Sequence, residues 1–126
     1  DPWGNRFTYF ASDKFTAAVA SGGLASFTLA TGIFPDNDRT ATIKDANANN
    51  IALEIPVVVV SHGSRAAGAY QPSGIRLAIG SGDEAENSDS DLTFMSHTPN
   101  DNYDDLIIWI VPNILKSRMV AVGRLP

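Results

Sequence analysis

At 126 residues the chain can hold one domain with a real core, but not two. Its 44% hydrophobic and 18% charged residues are an ordinary globular mixture, and a net charge of −5 without any basic run gives no means of neutralising a phosphate backbone, so nucleic acid is not an expected partner. No stretch nears the roughly twenty apolar residues of a membrane span, and the absence of cysteine excludes disulfides and thiolate metal sites.

Asp1-Pro2-Trp3-Gly4-Asn5 reads as a turn, because Pro pre-sets one backbone angle and Gly permits positive φ. With no initiator Met and no signal peptide, this start is expected of a processed or trimmed chain. Arg6 to Phe10 has strand-like aromatic and β-branched content. Residues 11–24 form a loop with at most one helical turn near Phe15 to Ala20. In Ala25 to Phe34, Phe27, Leu29 and Thr31 alternate with Ser26, Thr28 and Ala30, which predicts a strand with one buried face. Arg39 to Lys44 is a short β-prone stretch, expected to pair with it as a hairpin. After a polar loop over 45–50, Ile51 to Ile55 is open to two readings, a helical turn or the lead-in to the next strand.

Pro56 opens a second strand, where a missing N–H is tolerated, and Ser61-His62-Gly63 ends it. Ser64 to Tyr70 is Ala-rich and predicts a short helix. Gly80 to Asp91 is an acidic loop rich in Gly and Ser, and Leu92 to Ser96 resumes a strand. Pro112 to Val122 predicts a helix. Leu115, Met119 and Val122 at i, i+4 and i+7 make its apolar stripe, and Gly123 is its stop. An Asp at Met119 is expected to be costly, whereas Lys116 is expected on the open face, where Asp would be nearly neutral.

Two runs dominate this order, Ile55-Pro56-Val57-Val58-Val59-Val60 and Leu106-Ile107-Ile108-Trp109-Ile110-Val111. Neither alternates with polar residues, which predicts neighbouring strands at the centre of one sheet, covered on both faces. One short C-terminal helix is too little cover for such a sheet. A further helix is therefore expected, preceding Asp1 or supplied by another chain.

The acidic loop carries Asp83, Glu84, Glu86, Asp89 and Asp91 within nine residues, and its glycines let the backbone fold round an ion. Calcium takes six to eight hard oxygen ligands, and Asp83, Glu86, Asp89 and Asp91 are the candidate set. A solvated acidic loop is the other reading. Ser61-His62-Gly63 is no nucleophile elbow, and adjacent Ser and His on a strand point to opposite faces. His97 reads as a loop histidine, and Trp3 and Trp109 read as core.

The opening Asp-Pro-Trp-Gly-Asn resembles the motif that follows the long N-terminal helix in type II secretion pseudopilins. Ser61-His62-Gly63, Gly68-Ala69-Tyr70, Asp83 to Asp89, Asp104 to Trp109, Pro112-Asn113 and Arg118 to Ala121 are similar to blocks of prepilin-type proteins of Gram-negative bacteria. The cysteine pair that many pilins carry is missing here. The resemblance implies an α+β pilin-like head, an antiparallel sheet with a short C-terminal helix and a long N-terminal helix outside this chain. It implies a non-enzymatic subunit of a type IV pilus or pseudopilus, partnered by itself or other pilin subunits and by an apolar N-terminal helix in cis or from a partner chain. Such a subunit is anchored in the membrane before assembly and ends in the periplasm or an extracellular filament. It also implies calcium at the acidic loop, where Glu86-Asn87-Ser88-Asp89 resembles part of the pseudopilin calcium loop. A calcium-dependent adhesin or ligand-binding module is the alternative from another class.

Overall fold

The computed structural model describes residues 1–17, 25, 27–30 and 39–125. Among the described residues it is an α+β fold of two small sheets and three short helices. The first sheet has the order β1-β4-β6, from Thr8–Ala11, Val57–Ser61 and Leu106–Ile110, with both pairings antiparallel. The second has the order β3-β2-β5, from Asn50–Ile55, Ala41–Lys44 and Thr93–Met95. There β2 runs antiparallel to β3 and parallel to β5. The helices are α1 (Asp13–Thr16), α2 (Asp83–Glu86) and α3 (Pro112–Ala121).

The expected adjacency of the two apolar runs holds, since Val58 lies opposite Trp109 and Val60 opposite Ile107. Both strands lie in one sheet, but only β4 is central: β6 is an edge strand, and β2, β3 and β5 form a second sheet instead of extending the first. Ile51 to Ile55 is neither helix nor lead-in but β3, a strand of the other sheet. Pro56 separates β3 from β4: it lacks the N–H that would continue a ladder, and its carbonyl accepts from Ser12. A bulge in β3 places Glu54 at φ 56, and β2 pairs with β3 and β5 rather than with the Ala25 to Phe34 stretch. Of that stretch, residues 25 and 27–30 form no strand; Phe27 is instead a buried coil residue, and 26 and 31–34 lie outside the described residues.

The two sheets face each other through one core. Ile43, Ile55, Val58, Val60 and Phe94 are its buried centre, with Phe10, Ile107 and Trp109 packed against it. A second, smaller core joins Phe15, Ala25 and Phe27 to Leu115, Met119 and Leu125. Here α3 follows its predicted stripe through Leu115 and Met119 but not Val122, which caps the helix and is exposed. Gly123 at φ 65 closes the helix: its N–H goes to Val120 O and that of Arg124 to Met119 O, so two terminal carbonyls are satisfied.

Lys116 is a correction. It is 5% exposed rather than on the open face, and its Nζ donates to Leu29 O at 2.7 Å. Ser64 to Tyr70 forms consecutive turns and no helix, because Gly63, Ala66 and Gly68 all take positive φ, which a right-handed helix does not allow. In the acidic loop, by contrast, one helical turn appears, α2.

Candidate functional site

Three features of the described residues carry chemistry: one sheet face, an exposed carboxylate group and a buried polar cluster. The sheet face follows from strand alternation. Thr8–Val60–Ile107 and Phe10–Val58–Trp109 are rows across β1, β4 and β6 that point at the core. The intervening rows point out: Tyr9–Val59–Ile108, then Ala11–Val57–Ile110, then Leu106 beside Ser61. Tyr9 is 75% and Ile108 69% exposed, Leu106 and Ile110 are also exposed, and no described residue covers them. Among the described residues β6 is therefore covered on its inner face alone, and its burial alternates strictly although its sequence does not.

The opening motif sits at the end of this sheet. The Asp1 carboxylate accepts from the N–H groups of Trp3 and Asn5 and from Ser61 Oγ, which pins the turn to the last residue of β4. Gly4 completes the turn at φ 85. Trp3 is 45% exposed, so it is not the core residue its size suggested. Trp109 does pack against the core.

The acidic loop splits the predicted ligand set. Glu86, Asp89 and Asp91 come together, each offering an oxygen within 4.8 Å of the others. Burial first, and then the charges of Asp91 and Asp89, push the Glu86 carboxyl above its ordinary value. Asp83 turns away to His97, whose Nε2 lies 2.8 Å from its Oδ2 while the ring stacks on Tyr103. Asp89 and Asp91 also fold the loop, accepting from the N–H groups of Asp91 and Thr93.

Beneath this loop lies a polar cluster that the sequence did not announce. Asn87 grips the end of β5, accepting from Met95 N–H and donating to Met95 O, and its amide also donates to Asp105 Oδ2 at 2.9 Å. Tyr103 Oη donates to Met95 O, and burial raises its phenol to about 12. Across from Asn87, His62 Nδ1 stands 3.6 Å from Asp105 Oδ1, while its Nε2 meets Thr8 Oγ1 at 2.8 Å. Glu84, Asp104 and Asp105 form a second carboxylate group, again within 4.8 Å of one another. Burial pushes the Glu84 carboxyl up, against the pull of Arg65, whose Nε is 3.5 Å away. The signals in the sequence that point toward this cluster are the Asp104-Asp105 pair entering an apolar strand and His62 at the end of another.

Ser61 and His62 are bonded to Asp1 and Thr8 respectively, and not to each other. A cavity of about 180 Å³ lies between β1 and the acidic loop, lined by Thr8, Phe10, Arg76, Asn87, Asp91 and Phe94. It is smaller than the usual few hundred cubic ångströms of a small-molecule pocket. Among the described residues no helix is long and apolar enough to cross a membrane. No family model, no curated protein and no solved structure matches the chain.

Proposed function

We propose that the chain is the globular head of a filament subunit of the pilin or pseudopilin class, a structural protein rather than an enzyme. The observation that carries this reading is the bare outer face of β1-β4-β6. Three strands present Tyr9, Val57, Val59, Leu106, Ile108 and Ile110 side by side with nothing described above them. Contiguous apolar surface of this kind marks an interaction site in a folded domain. Its occupant in this reading is an apolar helix, in cis or from a partner chain, as the resemblance of the Asp1 to Asn5 motif implies. That motif is pinned to the last residue of β4, so a helix entering through Asp1 arrives beside the face it would cover. Before assembly the helix anchors the subunit in the inner membrane of a Gram-negative cell; afterwards it packs in the filament, in the periplasm or outside the cell.

Ile108→Lys tests this directly. The isolated head should melt as before, since the side chain is largely in water, while filament assembly in the producing cell should be lost. Normal filaments from the variant would overturn the reading.

A second reading rests on Glu86, Asp89 and Asp91, whose all-oxygen donor set suits calcium. In it the head is a calcium-dependent adhesin. Calcium should then raise the melting temperature by several degrees over chelator, Asp89→Ala should remove the gain, and glycan binding should require calcium.

A further inference from the structure

A strand at the margin of a sheet offers unpaired backbone groups to any further strand, and folded proteins guard such margins with charge, bulges, brevity or a covering loop. Of the four margins among the described residues, three are guarded. Beside β1, the Arg6 N–H donates to Tyr70 O, and Gly68, Ser88 and Ser90 stand across the small cavity from Thr8 to Phe10. The β3 margin carries the bulge and the charged Glu54 at φ 56. The β5 strand is only three residues long.

None of these protections is found on β6. It is Leu106-Ile107-Ile108-Trp109-Ile110, five residues without charge, Pro or Gly, paired with β4 in unbroken register. In an antiparallel pair alternate residues direct both backbone groups to the partner, so the others direct theirs away. Among the described residues no hydrogen bond reaches β6 from that far side. The core shows the same lack. Val58 and Val60 of β4 are fully buried, whereas Ile107 and Trp109 beside them on the inward face are only half-buried, because the sheet ends there.

We infer that the free margin of β6 pairs with β6 of a second copy of this chain, antiparallel and centred on Ile108. Charge decides between the two directions. Parallel pairing would set Asp104 and Asp105 beside the same residues of the other copy, in a chain that already carries a net charge of −5. Antiparallel pairing about Ile108 sets Asp105 opposite Val111 and Asp104 opposite Pro112 of the second copy. Pro112 opens the ten-residue α3, whose first turn has no acidic side chain of its own and whose N-terminus favours negative charge. Opposed residues of such a pair share a face. Ile107 therefore meets Trp109 of the second copy, and the exposed remainder of both is buried. On the outer face Leu106 meets Ile110, and Ile108 meets its own copy. The product is a closed two-fold dimer with one sheet of six strands, three from each copy. Its outer face stays open, so the pairing does not depend on what covers that face.

Sedimentation velocity of the whole chain, from micromolar to millimolar concentration, should show a reversible monomer–dimer equilibrium. The chain has no cysteine, so one introduced thiol reports one position. Ile108→Cys should oxidise to a covalent dimer at least about tenfold faster than Tyr9→Cys. Pairing holds the two 108 positions within disulfide reach, whereas Tyr9, at the opposite margin of the same face, meets its copy only by collision. Both side chains are largely exposed, so both variants should melt as the wild type does. Ile108→Lys and Ile108→Glu should each be monomeric, and mixed in equal amounts they should dimerise again, because opposite charges facing across a strand pair attract. A wild type that is monomeric at millimolar concentration overturns the pairing and leaves the filament reading, which is judged in the producing cell, untouched. Cross-linking of Tyr9→Cys as fast as Ile108→Cys also overturns it, since the copies would then stack through their outer faces. So does a charge-paired mixture that stays monomeric.

Discussion

The two faces of the β1-β4-β6 sheet are built from nearly the same residues and meet opposite fates. Val58, Val60, Ile107 and Trp109 turn inward to the second sheet, while Val57, Val59, Leu106, Ile108 and Ile110 turn outward. Composition does not distinguish the faces; only the partner does. The inner face has β3-β2-β5 to bury against, and among the described residues the outer face has nothing. An uninterrupted apolar run thus reports that a strand expects two covers, and says nothing about whether both are present.

The comparison breaks most sharply at adjacent rows. Val58→Asp puts a charge into a fully buried site without a counter-charge and should unfold the domain or cost several kcal/mol, read as a loss of the cooperative melt. A soluble, normally melting Val58→Asp protein would show that the two faces have been interchanged. Lys116→Ala tests the smaller core beside α3. It removes a buried stem and the bond to Leu29 O and should cost about 1–2 kcal/mol in denaturant melts, where Arg118→Ala, on the exposed side, should be close to neutral.

Tyr103 sharpens the picture of the polar cluster. Its phenol is raised from 10.0 to about 12 because burial disfavours the phenolate. A folded-state value above the unfolded one means that the folded form holds the proton longer. The corresponding stability is complete below pH 10 and disappears as the pH rises from 10 to about 12. Tyrosinate absorbance should show this late step, and Tyr103→Phe should abolish it. The smallest effect closes the comparison: Ile108→Asp on the isolated head should change stability by no more than about 0.5 kcal/mol, since the residue is largely in water.

Legibility in the sequence followed the range of the interactions. The Asp1 to Asn5 turn, the Gly123 helix stop and the pairing of β4 with β6 were readable, because each rests on local chemistry or on a strong apolar run. The two-sheet division was not readable, because it depends on β2 choosing β3 and β5 as partners. Lys116 was misplaced since helical periodicity gives a direction but not the depth of the neighbouring coil. Of the predicted calcium set, Glu86, Asp89 and Asp91 gathered through a local loop, while Asp83 was claimed by His97 from beyond β5. The buried cluster was invisible for the same reason: His62, Glu84 and the Asp104-Asp105 pair meet only after β4, α2 and β6 are in place.

Pro56 has a consequence for how the gene can change length. It is the single residue between β3 and β4, and it is buried. Side chains alternate along a strand, so one residue inserted or deleted here would exchange the inward and outward rows of β4 relative to β3. Both sheets would lose their shared core at once. The exposed Asp45 to Asn49 turn, between β2 and β3, bears no such constraint. Insertions and deletions in this domain should therefore collect in that turn and be absent at the Pro56 corner.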